Sequence, residues 1–100
     1  MKSNLKQKLK SGDTTIGSWI TFSDPAIAEI MAKSGFDWLA IDMEHSSLSF
    51  TQAQQIIRVV DLCGVTPLVR VMDNNPNLIK RFMDSGAHGI IVPMINTREA

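Results

Sequence analysis

The segment "AIDMEHSS" (40–47) leads an apolar pair, Ala40 and Ile41, directly into Asp42, Glu44 and His45. Three ionisable side chains at the end of a buried-looking run need solvent, a partner or a ligand, because an unpaired buried charge is costly. A fourth charge, Arg70, sits inside the apolar stretch "PLVRV" (67–71) and raises the same demand. An imidazole titrates near neutral pH and can move a proton. A guanidinium can grip a carboxylate or stabilise an enolate oxygen. These residue types suit holding an anionic substrate while a proton moves beside it.

Each residue also has a plain reading. Asp42 could cap the loop that follows it, Glu44 could be a surface carboxylate, and His45 a structural loop histidine. Trp19 serves as core or as substrate wall. His88 follows a predicted helix C-terminus, where a cation is favourable, and reads as structural. Arg70 is the hardest to dismiss, because its neighbours are apolar on both sides.

The elements that must carry these groups alternate. "TIGSWITF" (15–22) is rich in β-branched and aromatic residues and predicts a strand. Residues 23–35 predict a helix, capped by Ser23 or Asp24, with Pro25 at its first position and Gly35 at its end. Ile27, Ile30, Met31 and Ser34 share one face of it at helical spacing. "FDWLAID" (36–42) is the second strand. The helix over 49–64 carries an apolar stripe of Ala53, Ile56, Ile57 and Val60. "TPLVRV" (66–71) is the third strand. The helix over 75–86 is capped by Asn75 and buries Leu78, Ile79, Phe82 and Met83. "GIIVPM" (89–94) is a continuous apolar strand, expected to be covered on both faces as in a parallel sheet.

The order βαβαβαβ means parallel strands joined by crossover helices. In such folds the chemistry gathers where strands end. Strand 1 brings Trp19 there, strand 2 Asp42, Glu44 and His45, strand 3 Arg70, and strand 4 Pro93 and Met94. At the end of the chain Asn96 and Glu99 have capping-box spacing, as if a fourth helix were starting. The expectation is an α/β fold that forms the N-terminal portion of a (β/α)8 TIM-type barrel. Residues 1–100 would then be the first part of one domain of about 250 residues.

Composition narrows the partners. Ten basic and ten acidic residues cancel, which gives no electrostatic reason to expect nucleic acid or an anionic membrane. Cys63 is the only cysteine. It excludes an intrachain disulfide, reads as a small buried hydrophobe, and suits a reducing, cytoplasmic setting. "MKSNLKQKLKSGD" is basic but lacks the apolar core of a signal peptide, and its Leu5 and Leu9 stand four apart as on a short helix. No apolar run is long enough to span a bilayer.

Three stretches, "GSWITFSDPAIAEIMAKSGFDWLAIDMEHS", "PLVRV" and "GAHGIIVPMINTREA", resemble the metal-dependent (class II) pyruvate aldolases of the 4-hydroxy-2-oxoheptanedioate aldolase family. That family also holds aldolases for 2-keto-3-deoxy sugar acids. The likeness covers nearly the whole chain from about Leu5. It is most specific in the I-D-x-E-H segment, the V-R strand end and the V-P-M segment.

The resemblance implies a TIM-type barrel, commonly a hexamer, that cleaves a 4-hydroxy-2-oxo acid to pyruvate and an aldehyde. By the same likeness His45 matches the catalytic base and Arg70 the residue that stabilises the pyruvate enolate. Asp84 matches the carboxylate that raises the basicity of the histidine, and Trp19 and Asp42 match lining positions. From the residues alone Asp84 is a solvated position near a helix end; reaching His45 would need a neighbouring subunit. Ser46-Ser47 stands where the family usually has Gly-Pro or Ala-Pro. Met72-Asp73 stands where it often has Trp. Both departures bear on the aldehyde more than on the reaction class.

Aldol chemistry on pyruvate needs an electron sink, either a lysine Schiff base or a divalent metal. Lys2, Lys6, Lys8, Lys10, Lys33 and Lys80 all fall outside the predicted strand ends, in agreement with the metal-dependent family. The resemblance implies Mg²⁺ or Mn²⁺, with no ligand within 1–100 and two carboxylates on later strands. The rival readings are a carbon–carbon lyase acting on acyl-CoA esters and a non-catalytic flavodoxin-like binding module. The latter would want a phosphate-cradling glycine loop that "TFSDPA" does not supply.

Overall fold

Local chemistry starts each helix where the sequence announces it. In the computed structural model, which describes residues 15–92, α1 spans Pro25–Ala32 and the Asp24 carboxylate accepts from the Ala26 N–H at 2.9 Å. Helix α2 spans Phe50–Leu62 and opens with a reciprocal box. Ser49 Oγ accepts from the Gln52 N–H at 3.1 Å, and Gln52 Oε1 accepts from the Ser49 N–H at 2.9 Å. Helix α3 spans Pro76–Asp84, with Asn75 Oδ1 accepting from the N–H groups of Asn77 and Leu78. Gly86 leaves α3 at φ 108°, a conformation that favours a residue without Cβ.

Four strands lie between and beside these helices: β1 Gly17–Ile20, β2 Trp38–Asp42, β3 Thr66–Arg70 and β4 Gly89–Ile91. They form one sheet in the order β1-β2-β3-β4, every pair parallel. Sequential order with same-handed crossovers puts all the helices on one side of the sheet. This is the winding of a (β/α) barrel wall; a doubly wound sheet reverses its strand order partway.

The register separates two faces. Ile20, Ile41, Val69 and Ile90 are aligned across the sheet. With Leu39 they face the helices, and all but the half-buried Ile90 are fully buried against α2 and its neighbours. The other face carries Gly17 and Trp19 from β1, Trp38, Ala40 and Asp42 from β2, and Thr66, Leu68 and Arg70 from β3. In a barrel that second face is the interior. Among the described residues the charged groups on it are Asp42 and Arg70, both at the C-terminal ends of their strands.

The predicted stripe of α2 is fully buried at Ala53, Ile56, Ile57 and Val60. Helix α1 differs from expectation: Ala28 and Ala32 face inward, while Ile27 and Ile30 are exposed and only Met31 of the predicted face packs on the core. Small residues let α1 lie close to α2, and closeness outweighs side-chain size there. In α3 Phe82 is buried and Met83 is exposed. Strand β4 is half-buried, since among the described residues it pairs only with β3. The expectations for Leu5, Leu9, Pro93, Met94, Asn96 and Glu99 lie outside the described residues. No described helix is long and apolar enough to cross a membrane.

Candidate active site

Strand register makes Asp42 and Arg70 direct neighbours across β2 and β3. Their side chains meet in a two-point contact: Arg70 Nη2 donates to Asp42 Oδ2 at 2.6 Å and Nε to Oδ1 at 3.3 Å. The same Oδ1 accepts the backbone N–H groups of Glu44 at 2.9 Å and His45 at 3.0 Å. Asp42 thus caps the loop, as one reading of it expected, and anchors the arginine at once. Its side chain is 3% exposed. The hydrogen bond from Arg70, helped by the two loop N–H groups, outweighs burial and holds its carboxyl at about 2, well below the usual range. Hydrogen bonding to Asp42 in turn raises the Arg70 guanidinium above its ordinary value.

The loop after β2 brings His45 over the guanidinium, with Nδ1 3.1 Å from Arg70 Nη2. An arginine only donates, so Nδ1 is the acceptor and the neutral ring carries its proton on Nε2. The His45 side chain is 66% exposed and open to an incoming molecule. Ser46 Oγ donates to the Asp42 carbonyl and accepts from the Leu48 N–H, which ties the loop back to the strand. Glu44 reaches the same arginine from the rim, with Oε1 3.5 Å from Nε. Beneath it the guanidinium carbon lies 4.2 Å from the centre of the Trp19 ring. Trp19 in turn meets Trp38 edge to face, centroids 6.1 Å apart. A Cβ on Gly17 would come within 1.9 Å of the Trp38 ring, so the bare backbone of Gly17 makes room for this stack.

Trp19, Asp42, His45 and Arg70 are therefore brought together at one rim. Asp84 is not. It ends α3, pairs with Lys80 one turn back at 3.2 Å, and is two-thirds exposed. Helix α3 runs opposite to the strands, so its last residue lies at the far end of the sheet from Arg70. His88, read as structural, has a side-chain neighbour: Nε2 lies 3.1 Å from Asp61 Oδ1. The sequence marked Ser46 only as a departure from the family pattern, not as a tie between loop and strand, and left Glu44 open as a surface carboxylate. A hydroxyl four residues beyond the last strand carbonyl was the available signal for Ser46.

The donor set does not by itself make a metal centre. Both Asp42 oxygens are engaged by N–H donors, Glu44 leans on Arg70, and no group of three His, Cys, Asp or Glu among the described residues could hold an ion. What the rim can do is bind an anion at Arg70 and pass a proton at His45. Among the described residues Arg70 Nη1 has no hydrogen-bond partner and can take a ligand oxygen.

Comparisons with known proteins point to one family. A family model described as HpcH/HpaI aldolase/citrate lyase matches residues 15–100. The chain is 35% identical over 91 residues to a 2-dehydro-3,6-dideoxy-6-sulfogluconate aldolase of Pseudomonas putida, covering 91% of this chain and 36% of that one. It is 38% identical over 96 residues to a pyruvate aldolase of Rhizobium etli, covering 96% and 38%. Among solved structures, Citrate Synthase SbnG superposes with a TM-score of 0.85 at 36% identity, covering 95% of this chain and 39% of that one. An HpcH/HpaI aldolase from Desulfitobacterium hafniense DCB-2 superposes with a TM-score of 0.82 at 30% identity, covering 91% and 36%. The fold is TIM-barrel-like, as in those neighbours. The chain spans somewhat over a third of the length of the relatives it matches.

Proposed function

The chain belongs to the HpcH/HpaI aldolase/citrate lyase family, and from that premise we propose that the protein is a carbon–carbon lyase. It would reversibly cleave a 4-hydroxy-2-oxo acid to pyruvate and an aldehyde. The observation that supports this most is the meeting of Arg70, Asp42, His45 and Trp19 at one strand-end rim. Residues 1–100 are read as the N-terminal part of a single barrel domain.

The family likeness and the geometry together support the following roles. Asp42 anchors the guanidinium and the loop near their working positions before substrate arrives. Arg70 holds the keto-acid oxygens and stabilises the negative charge of the enolate. Trp19 walls the pocket below it. In the resting site Arg70 covers the Nδ1 lone pair of His45, the one position where the neutral ring can take a proton. A substrate oxygen that draws the guanidinium toward itself frees that lone pair. In cleavage His45 takes the proton of the C4 hydroxyl as C3–C4 breaks; in the pyruvate half-reaction it takes a methyl proton.

The family is generally dependent on a divalent metal. No group of three metal-ligating side chains gathers among the described residues, and we assign the ligands to later strands, with Mg²⁺ or Mn²⁺ as the expected ion. Asp84 is read as reaching His45 of a second copy, in a homo-oligomer that is a hexamer by family likeness. A cytoplasmic setting fits the single thiol.

The test is release of pyruvate from a 4-hydroxy-2-oxo acid by the complete protein, with and without added metal and without CoA. Metal-dependent release supports the reading; none under any condition removes it. The likeness to Citrate Synthase SbnG favours one second reading, carbon–carbon bond formation on a different acid acceptor by the same enolate-holding rim. An acyl-CoA lyase would instead show strict dependence on the thioester.

A further inference from the structure

The backbone of His45 is held on both sides. Before it, Asp42 Oδ1 accepts the Glu44 N–H at 2.9 Å and the His45 N–H at 3.0 Å. After it, Ser46 Oγ donates to the Asp42 carbonyl and accepts the Leu48 N–H at 3.3 Å. Leu48 packs into the core, so the second of these bonds ties the returning loop to the interior. The ring has less to hold it. Its side chain is 66% exposed, and its polar contacts among the described residues are Arg70 Nη2 at 3.1 Å and Asp42 Oδ2 at 3.8 Å. Neither Ser46 nor Ser47 fixes its own backbone as a proline would, so the hydroxyl supplies a restraint that the loop otherwise lacks.

We infer that Ser46 is a positioning residue for His45, whose hydroxyl keeps the imidazole aimed during proton transfer. The inference rests on the aldolase reading above. In that reading a substrate oxygen draws the guanidinium away from Nδ1. The ring then loses its closest side-chain contact when it must accept a proton, and the loop backbone sets its direction. A base held off its line loses rate even when substrate is bound normally. Asp42 also supports this backbone, but it anchors Arg70 as well. Ser46 makes no hydrogen bond to Arg70 among the described residues. It therefore bears on the base and leaves the enolate-stabilising donor alone.

The test is exchange of pyruvate methyl protons with solvent in the complete protein supplied with divalent metal, comparing wild type with Ser46→Ala and Ser46→Thr. Losing one neutral hydrogen bond that aims the base should lower the limiting exchange rate of Ser46→Ala by about three- to tenfold. The pyruvate concentration at half-maximal exchange should hold, because the Arg70–Asp42 pair is untouched. Ser46→Thr keeps the hydroxyl and should exchange at the wild-type rate. Thermal unfolding gives the folded fraction of each variant, so rates are compared per folded molecule. A hydroxyl that only stabilises the fold would lower the unfolding midpoint and leave that rate unchanged. With an active wild type, an unchanged rate in Ser46→Ala, or a loss shared by Ser46→Thr, overturns this inference alone. So does a slower rate accompanied by equally weakened pyruvate binding. A wild-type protein that exchanges no methyl protons overturns the aldolase reading and this inference with it.

Discussion

Asp42 and Arg70 face each other across β2 and β3, joined at 2.6 and 3.3 Å, and every other group of the rim is arranged around that pair. The carboxylate positions the loop that carries His45, and the guanidinium lies on Trp19. The pair therefore links the backbone of the sheet to the proton-transfer group.

Arg70→Ala removes a preorganised donor and should cost about 3–4 kcal/mol of transition-state stabilisation, or roughly a hundred- to a thousandfold in turnover. Arg70→Lys should recover little, because an ammonium has neither the fork that fits Asp42 nor the planar face that lies on Trp19. Single-turnover cleavage assays compare them; near-normal activity in the alanine variant would remove Arg70 from the chemistry.

His45→Ala should slow exchange of the pyruvate methyl protons with solvent by about a hundredfold or more, the usual contribution of a positioned base. Proton NMR in deuterated buffer reads it directly. Exchange at the wild-type rate would exclude His45 as the base.

The Asp42 carboxyl is held at about 2, below its ordinary 3.8. A depressed carboxyl contributes stability that is present above its unfolded value and is lost as pH falls through its folded one. The contribution is about 2 kcal/mol and should disappear between 3.8 and about 2. Asp42→Asn should unfold at lower denaturant at neutral pH and show a flatter acid limb over that window. A wild-type-like acid limb in the variant would contradict the coupling.

Gly17→Ala should destabilise by about 1–3 kcal/mol, as overpacking commonly does, because Trp38 must leave the space a Cβ would take. The movement should change the near-ultraviolet circular dichroism of the Trp19–Trp38 pair. Thermal unfolding and the tryptophan band together check it.

Asp84 lies away from the rim within one chain. If it completes the site of a second copy, mixed oligomers of Asp84→Asn and His45→Ala should regain activity that neither variant has alone. Absence of complementation in verified mixed oligomers would assign Asp84 to the Lys80 pair only.

Much of the architecture was legible in the residues themselves. The caps at Asp24 and Asn75 act within three residues, so a linear reading finds them; the Ser49–Gln52 box has the same short range but was not singled out. Alternation of strand and helix follows from apolar spacing, and strand-end charges at Asp42 and Arg70 mark a rim. These features depend on neighbours along the chain. What only the tertiary structure decided depends on neighbours across it. Register made Asp42 the partner of Arg70, when a slip by one residue would have turned one of them into the helix layer. Close packing of α1 chose Ala28 and Ala32 over Ile27 and Ile30. The approach of Glu44 to Arg70, the Trp19 face beneath it and the distance of Asp84 are likewise set by where strands and helices pack, a relation that spacing along one chain does not encode.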